Sequence, residues 1–271
     1  MKRGEIRVCI IRVGGTNCDA ETKRSFEDLG VKASIYHVNE IFRKRELLAE
    51  HQILVFPGGF SYGDYVRAGA ILAKTIMARI GAEIKAFIDE GKPILGICNG
   101  FQVLVEAGLL PGLNGISQYP EAALATNVPS GYRCMWVYLR HENSGKCAFT
   151  WLIPRGAVLR MPVAHAEGRF VLPKEKDLFN RLIGNDQIVF RYCCENGEPA
   201  EGRFPANPNG SFYDIAGICN PDGTIFGLMP HPERAYYYWQ LPDWTRMKNP
   251  PRYGDGKLIF ESIIKYVMKK F

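Results

Sequence analysis

Short runs of β-branched residues alternate with helical patterns through the first hundred residues, and this alternation restricts the fold more than any other feature. The strand-like runs are IRVCIIRV, KASIYHV, QILVFPGG and KPILGIC. The longest helical pattern runs from about Val66 to Glu90. Strands that alternate with helices in this way form a parallel sheet with helices on both faces. We therefore predict an α/β fold with an open, mostly parallel sheet.

The later part of the chain has a different pattern, in which strand-like runs are joined by turn-rich loops such as NPNG and NPDG. We expect these runs to add antiparallel strands to the central sheet. A final helix is predicted in GKLIFESIIKYVMKKF, and its apolar face is predicted to contain Leu258, Ile259, Ile263 and Val267. We interpret residues 1–271 as a single domain with an extra segment at 236–255.

Composition argues against several classes of protein. No stretch reaches the eighteen or so uninterrupted apolar residues of a membrane helix, and the basic, apolar start lacks a small-residue cleavage pattern. Eight cysteines with irregular spacing and no CxxC argue against a zinc ribbon or a redox motif. We therefore expect reduced thiols, no metal site, no membrane contact and a cytoplasmic location.

Charge and aromatic content give no prediction of nucleic-acid binding. The net charge of +6 is spread along the chain. In residues 234–253, RAYYYWQLPDWTRMKNPPRY, aromatic residues and cations interleave as they do on a nucleic-acid stacking platform. The interpretation that we favour is an insertion whose aromatic side chains pack on the domain or on a protein partner.

The pentapeptide GICNG, residues 96–100, places a cysteine between glycines at a predicted strand-to-helix junction. This is the pattern of a nucleophile elbow, a strained turn that lifts the nucleophile above the sheet. The free N–H groups and dipole of the helix N-terminus favour a thiolate there. A cysteine between glycines also arises by chance in a chain with 28 glycines. Its position after the apolar run KPIL favours Cys98 as the nucleophile.

The glycine-rich segment VFPGGFSYGD follows the preceding predicted strand. In a parallel sheet its loop lies at the same carboxyl edge as Cys98. We expect the backbone of Gly58–Gly59 to donate one N–H to a developing oxyanion, and Asn99 to donate the second. By itself the segment is equally consistent with a turn that closes a strand.

One of the five histidines, His231, directly follows a strand-like run and has a carboxylate two residues later, in HPER. Pro232 fixes the backbone between them, so Glu233 is placed to orient the imidazole. The other histidines are interpreted as structural or solvent-facing (His37 and His51) or as candidate substrate contacts in polar loops (His141 and His165).

Three of these motifs, GICNGFQ, PGGFSYGD and MPHPERA, together resemble the triad-type, or class I, glutamine amidotransferases. Within that class, PVAHAEGRF, LRHENS and the stretch from NPNGS to MPHPERA are similar to the glutaminase subunits of phosphoribosylformylglycinamidine synthases, which act in purine biosynthesis. The resemblance runs from about Val8 to Arg234 and resumes at DGKLIFESI. Its motifs are long and specific.

The resemblance implies a Cys–His–Glu triad. Cys98 attacks the side-chain amide of glutamine, His231 protonates the departing ammonia, and Glu233 orients His231. Water activated by the same histidine then hydrolyses the glutamyl thioester. The other positions that match the family's site are two oxyanion-hole donors and three substrate contacts: Gly59, Asn99, Gln102, Phe60 and His165.

The resemblance also implies partners. In this family the ammonia passes through a complex to a synthetase subunit, which uses ATP and magnesium to convert phosphoribosylformylglycinamide to the amidine, commonly with a small bridging subunit. This sequence contains no GxxxxGK[ST] loop, in agreement with ATP being bound elsewhere. We therefore expect no cofactor in this chain and a site that is gated against wasteful hydrolysis.

Two features depart from the family's pattern. Ala166 stands in PVAHAEG where many relatives have a glycine, and the segment from Tyr236 to Asp255 is longer than the usual link to the last helix.

Three alternatives stay open at this point. A hydrolase of the α/β class shares the elbow, although its acid normally lies between the nucleophile and the histidine. A glutaminase for another acceptor, as in guanylate or anthranilate synthesis, has the same triad. The third is a binding module that lost catalysis, which the presence of all three triad residues disfavours.

Overall fold

The computed structural model describes residues 1–173, 176–246 and 248–271. Its strands are β1 (Arg7–Arg12), β2 (Lys32–His37), β3 (Ile53–Phe56), β4 (Ile94–Ile97), β5 (Ala123–Ala125), β6 (Arg133–His141), β7 (Val158–His165), β8 (Arg169–Val171), β9 (Ile188–Cys193), β10 (Ile215–Cys219) and β11 (Ile225–Leu228). Its α-helices are α1 (Asp19–Asp28), α2 (Val38–Arg43), α3 (Glu46–Ala49), α4 (Ala70–Asp89), α5 (Asn99–Glu106), α6 (Lys176–Gly184) and α7 (Lys257–Lys270).

Nine strands form one sheet in the order β2-β1-β3-β4-β11-β10-β9-β6-β7, and β5 pairs separately with β8. The pairings from β2 to β11 are parallel, and those from β11 to β7 are antiparallel. The predicted α/β architecture with antiparallel additions is therefore confirmed. The carboxyl ends of β3, β4 and β11 lie side by side, which places the loops that follow them at one edge of the sheet.

The middle of the sheet is the core of the molecule. Strands β3, β4 and β11 are buried at every position, as parallel strands are when helices cover the sheet. Helix α4 packs on α5, and α1 packs on α7 through an edge-to-face pair of Phe26 and Phe260 with ring centroids 5.0 Å apart. The sheet is therefore a rigid support for the loops at its edge.

The helix predicted from Val66 begins four residues later, at Ala70. Gly69 has a left-handed backbone with φ 78° and marks the start of α4. A Cβ atom at this position would lie 2.7 Å from the backbone nitrogen of Val103 in α5. The backbone at Gly69 therefore packs closely against α5, a contact that local sequence does not encode. Because of this contact the helix begins at Ala70, and residues 57–69 form a loop.

The predicted apolar face of α7 was correct except at Leu258, which is 39% exposed. Ile259, Ile263 and Val267 are all buried. These three residues are spaced by four, so they share one face, whereas Leu258 is rotated away from them by about 100° per residue. The helix ends with lysines in its last turn.

The segment 236–255, of which Met247 lies outside the described residues, packs largely on itself and on the sheet. Tyr236 is fully buried beside Phe260 with ring centroids 5.8 Å apart. Tyr237 stacks on Trp239 at 4.3 Å. The backbone N–H of Arg160 in β7 donates to Asp255, and the Arg160 side chain pairs with Asp243 at 2.9 Å. These contacts support the packing interpretation of the aromatic residues.

All eight cysteines are free thiols. Among the described residues, no helix combines the length and the apolar character needed to cross a membrane.

Candidate active site

The elbow lies between β4 and α5. Cys98 follows the last residue of β4 and has φ 50° and ψ −104°, and α5 begins at the next residue. A left-handed φ in a residue with a side chain is strained. A Cβ atom on Gly100 would lie 2.6 Å from the carbonyl carbon of Phe56, and one on Gly96 would lie 2.6 Å from the Gly100 oxygen. Only glycines therefore fit on both sides of the cysteine.

Cys98 is held between the two halves of the sheet. Its backbone N–H donates to Leu228 at the end of β11, with N and O 2.8 Å apart. Its Sγ lies 3.6 Å from the carbonyl oxygen of Ala164 in β7. The side chain is 4% exposed, so the thiol points into a nearly closed space at the sheet edge.

His231 and Glu233 form a buried pair beside this cysteine. The Nδ1 atom of His231 lies 2.6 Å from Oε1 of Glu233, and the two residues are at most 2% exposed. The backbone N–H of His231 donates to Pro162 in β7, which fixes the position of the ring. Among the described residues, Nε2 has no hydrogen-bond partner. The nitrogen that is free to exchange protons is therefore Nε2.

The charge balance around the imidazole favours its protonated form. Burial by itself lowers the pKa of His231, but the negative charges of Glu233 and of a Cys98 thiolate raise it, and the net direction is well above the ordinary value. A histidine that holds a proton beside a cysteine can deliver that proton to a leaving group. The arrangement is that of a nucleophile, an acid–base group and an orienting carboxylate.

A second cysteine, Cys18, which was not predicted from the sequence, lies on the other side of the same ring. Its Sγ is 3.9 Å from His231 Nδ1 and 3.2 Å from a guanidinium nitrogen of Arg234. Burial raises the pKa of the Cys18 thiol to about 12, so this thiol stays neutral. Cys18 lies in the loop between β1 and α1. The one sequence signal that pointed to it was that this loop follows a strand of the predicted parallel sheet and so lies at the same edge as Cys98.

Cys18, His231 and Glu233 offer donor atoms within 4.8 Å of one another, a spacing that suits a metal ion. However, Nδ1 of His231 already pairs with Glu233, and the Arg234 cation contacts the sulfur. We therefore assign no metal to this cluster.

The glycine-rich loop lies against the elbow. Gly59 has φ 145° and forms an isolated antiparallel bridge with Thr16. The two hydrogen bonds of this bridge involve the residues that flank Gly59, because Phe60 N–H donates to Gly15 and Asn17 N–H donates to Gly58. In this type of pair the N–H of the central residue points away from its partner strand. The Gly59 N–H is therefore free to serve an oxyanion.

Asn99 joins the loop to the elbow. It is the first residue of α5, where backbone N–H groups have no partner within the helix. Its side-chain oxygen accepts from the Ser61 N–H at 3.1 Å, and its side-chain nitrogen donates to Gln102 at 3.0 Å. The two predicted oxyanion donors thus belong to segments that are hydrogen-bonded to each other.

The three predicted substrate contacts lie in different settings. Gln102 is buried one turn into α5, and its side-chain nitrogen donates to the Glu167 carbonyl oxygen at 2.5 Å. Phe60 is 40% exposed and faces the ring of Tyr132 at 6.4 Å. His165 is 3% exposed, with Nδ1 3.1 Å from Asn127. Burial, and then the charge of His231, lowers the pKa of His165 to about 3, so its ring is neutral at pH 7.

The prediction that His141 and His165 lie in polar loops was wrong, since both end strands and both are buried. His165 pairs with Arg133 across β7 and β6, whereas His141 is at the other end of β6. Eight residues of strand separate those ends by about 26 Å. His141 bonds Thr150 at 2.9 Å and is structural.

An acidic pair beside Gln102 was also missed. Burial, and then the charge of Glu167, raises the pKa of Asp64 to about 6. Oε2 of Glu167 accepts from the Ala68 N–H at 3.1 Å, and Oδ1 of Asp64 lies 3.4 Å from the side-chain nitrogen of Asn99. Both carboxylates occur inside quoted motifs, PGGFSYGD and PVAHAEGRF, but local sequence does not show that the motifs meet.

Comparison with known proteins agrees with this geometry. A model of the family described as the CobB/CobQ-like glutamine amidotransferase domain matches residues 5–267. The chain is 47% identical to phosphoribosylformylglycinamidine synthase subunit PurQ of Archaeoglobus fulgidus over 280 residues, covering 99% of this chain and 100% of that protein. It is 44% identical to the subunit of the same name from Methanothrix thermoacetophila, covering 98% and 99%.

Among solved structures, the chain is similar to one chain of the structure of PurLQS from Thermotoga maritima. The TM-score is 0.72 at 33% sequence identity, and the match covers 97% of this chain and 99% of that one.

Proposed function

This chain belongs to the CobB/CobQ-like glutamine amidotransferases, and from this membership we infer that it is the glutaminase subunit of a phosphoribosylformylglycinamidine synthase. It hydrolyses glutamine to glutamate and supplies the ammonia to a synthetase subunit, which converts phosphoribosylformylglycinamide to the amidine in purine biosynthesis. The observation that carries this function is the buried imidazole of His231, with Nδ1 on Glu233 and Nε2 unpaired among the described residues.

In the first half of the reaction, the Cys98 thiolate attacks the side-chain carbonyl carbon of glutamine. The charge that develops on the carbonyl oxygen is received by the N–H groups of Gly59 and Asn99. When the intermediate collapses, the carbon–nitrogen bond breaks and His231 gives its proton to the departing nitrogen. The products are ammonia and a glutamyl thioester on Cys98. The upward shift in the pKa of His231 supports its role as the acid.

In the second half, His231 is the base. It takes a proton from water as the oxygen attacks the thioester, and the carbon–sulfur bond breaks to release glutamate and regenerate Cys98. Glu233 holds the ring through Nδ1, so that Nε2 faces the reacting atoms in both halves. The net change is glutamine and water to glutamate and ammonia.

Partners and cofactors follow from the same inference. We propose that ATP and magnesium bind to the synthetase subunit and that this chain uses no cofactor. A complex with that subunit and a small third subunit is supported by the match to one chain of the PurLQS structure. Eight free thiols support a reducing, cytoplasmic location.

The alternatives are less well supported. The carboxylate that meets the histidine is Glu233, two residues after it, and not an acid between the nucleophile and the histidine. The relatives at 47% and 44% identity over nearly the whole chain are subunits of phosphoribosylformylglycinamidine synthase, which argues against another acceptor.

The test of this function is the fate of the amide nitrogen. The chain, its cognate synthetase and the small subunit are given glutamine labelled with ¹⁵N on the amide, in the presence of unlabelled ammonium. We expect the label in the amidine product, and none when the synthetase is omitted. Amidine made only from free ammonium would contradict the proposal.

A further inference from the structure

The segment 236–255 folds back onto the turn that connects the catalytic histidine and glutamate. The residue that follows the segment, Gly256, donates its N–H to the carbonyl oxygen of Ala235 at 2.9 Å. A Cβ atom on Gly256 would overlap the carbonyl oxygen of Pro232. The end of the segment is therefore packed against the backbone of this turn.

The turn itself is short. Residues Pro232–Ala235 form a single 3₁₀ turn, next to which the Arg234 N–H donates to the carbonyl oxygen of His231 at 3.2 Å. Proline has no N–H, and hydrogen bonds in a 3₁₀ turn have poorer geometry than those in an α-helix. Oε2 of Glu233 has no hydrogen-bond partner among the described residues. The direction of this carboxylate therefore depends on how neighbouring segments hold the backbone of Glu233.

Gln240 in the segment holds that backbone. Its side-chain nitrogen donates to the carbonyl oxygen of Glu233 at 3.0 Å. Its side-chain oxygen accepts from the backbone N–H of Tyr237 at 2.7 Å. Because the first contact needs a donor and the second an acceptor, only one orientation of the amide satisfies both. Gln240 therefore links the catalytic turn to the start of the segment.

The segment is anchored on β7, the last strand of the nine-stranded sheet. The outer edge of such a strand offers backbone groups that no other strand pairs. The Arg160 N–H at this edge donates to Asp255 at 2.7 Å, and the Pro162 oxygen accepts from the His231 N–H at 2.9 Å. The Arg160 side chain pairs with Asp243 at 2.9 Å. One strand therefore holds both the catalytic histidine and the segment that contacts the glutamate.

We propose that Gln240 is a positioning residue for glutamine hydrolysis: its amide holds the backbone of Glu233, and the Glu233 carboxylate in turn orients the imidazole of His231. This inference rests on the proposed function. Proton transfer needs Nε2 of His231 within hydrogen-bond reach of the reacting atoms, and a displacement of about 1 Å costs about a hundredfold in rate. Without the amide of Gln240 the histidine and the glutamate stay buried, but the backbone that aims the carboxylate is free to move.

Steady-state kinetics of the full complex test this role. Gln240→Met removes both contacts of the amide, whereas Gln240→Glu, ionised at pH 8, keeps an acceptor for Tyr237 and loses the donor to Glu233. We expect kcat for glutamine hydrolysis to fall about fivefold in both variants, with KM changed less than about twofold. Full activity in Gln240→Glu would overturn the proposal.

Gln52→Glu is the matched control. The side-chain oxygen of Gln52 likewise accepts a backbone N–H, that of Arg7 at 2.9 Å, but Gln52 directly precedes β3, at the end of the strand away from Cys98. We expect its kcat to equal that of wild type. A similar fall in this control would overturn the proposal, because the effect would then come from the added charge.

The titration of His231 separates positioning from a general loss of stability. Burial lowers the pKa of His231, whereas Glu233 and then the two thiols raise it. The titratable and charged groups around the ring are Glu233, Cys98, Cys18, His165 and Arg234. If Gln240→Met lets the carboxylate move away from the ring, the His231 midpoint followed by NMR in the full chain moves to lower pH. A lower kcat with an unchanged midpoint would overturn the proposal, because the effect would not act through Glu233.

Two further measurements keep the outcomes distinct. The extent of Cys98 alkylation by a glutamine analogue counts the folded sites, so kcat is expressed per reactive site and a partly unfolded variant is not mistaken for a misaligned one. A wild-type complex that does not hydrolyse glutamine would contradict the proposed function itself. A wild-type complex that does, with Gln240 variants of equal kcat, would contradict only the role of Gln240.

Discussion

At the scale of single residues, the central feature is that the His231 ring has two different sides. On the Nδ1 side lie Glu233 at 2.6 Å and the thiol of Cys18 at 3.9 Å. On the other side, Nε2 has no hydrogen-bond partner among the described residues, and Cys98 is near enough to raise the pKa of the ring. Of the two thiols, we therefore propose the one at the strained elbow as the nucleophile, with the neutral thiol of Cys18 packed against the ring.

Cys18 should affect the rate without being the nucleophile. In Cys18→Ala the imidazole loses a packing contact, and in Cys18→Ser a hydroxyl competes for Nδ1. We expect kcat for glutamine to fall about fivefold to tenfold, which is about 1 kcal/mol of activation free energy, with little change in KM. Steady-state kinetics and peptide mass mapping after alkylation by a glutamine analogue measure both effects. Alkylation of Cys18 instead of Cys98 in the wild-type chain would contradict this assignment.

The carboxyl group of Asp64 should make stability depend on pH. Its pKa in the folded chain is about 6, above the ordinary value of 3.8. The folded state binds this proton more tightly, so the stabilisation is fully present below about pH 4 and is lost as the pH rises through 6. Asp64→Asn removes this titration.

Chemical denaturation at pH 4, 6 and 8 measures the effect. At pH 8 we expect the Asp64→Asn variant to unfold at a higher denaturant concentration than wild type. Its free energy of unfolding should exceed that of wild type by at most about 3 kcal/mol. The difference should shrink toward pH 4. A difference that grows toward pH 4 would show that the shift has the opposite sign.

At the scale of secondary-structure elements, the strand–turn–helix unit of β4 and α5 presents Cys98. This tight turn forms because glycines stand at the positions where its backbone comes closest to neighbouring segments. A Cβ atom on Gly100 would lie 2.6 Å from the carbonyl carbon of Phe56, whereas one on Gly81 in α4 would have its nearest neighbour, the Met77 methyl group, at 3.7 Å. The two helical glycines thus form a matched pair.

Alanine at these two positions should have opposite effects. Gly100→Ala is expected to lower the free energy of unfolding by about 1–3 kcal/mol through overpacking, and to lower glutaminase activity because the elbow shifts. Gly81→Ala is expected to raise the free energy of unfolding by about 0.5–1 kcal/mol, since alanine is the better helix former. Thermal and denaturant unfolding of the two variants give the comparison. Equal effects would show that the elbow is not tightly packed.

The elements were predictable where their signals are local. The runs of β-branched residues predicted the parallel strands, and GICNG and HPER predicted Cys98, His231 and Glu233 as candidates. The start of α4 was not predictable, because the contact of Gly69 with α5 delays it. The contact of Cys18 with His231 was not predictable from local sequence, because 213 residues separate the two and the shared sheet edge was the one signal that joined them.

At the scale of the whole molecule, the two halves of the sheet contribute different parts of the candidate active site. The parallel half presents the elbow, the glycine loop and His231, and the antiparallel half supplies the wall formed by Ala164 and His165. The sequence predicted both halves but not their order, because the pairing of β4 with β11 joins segments about 130 residues apart. The segment 236–255 then covers the outer strand β7 through Asp243 and Asp255.

The buried ring of Tyr236 should anchor this segment. Tyr236→Ala removes a fully buried side chain that packs on Phe260 and donates to Asp28, so we expect a loss of about 3–5 kcal/mol in the free energy of unfolding. Trp239→Ala, which removes a ring that is 46% exposed, is the control and should cost much less. Denaturant unfolding measures both. A similar loss in the two variants would mean that the segment is not held through Tyr236.

The proposed triad is tested most directly by the release of glutamate from glutamine by the purified chain with its synthetase, in wild type, Cys98→Ala and Cys18→Ala. We predict that Cys98→Ala abolishes release, and that Cys18→Ala retains about a tenth to a fifth of it together with a trapped glutamyl thioester on Cys98. Glutamate release that persisted in Cys98→Ala would contradict this mechanism, because the elbow thiol would then not be the nucleophile.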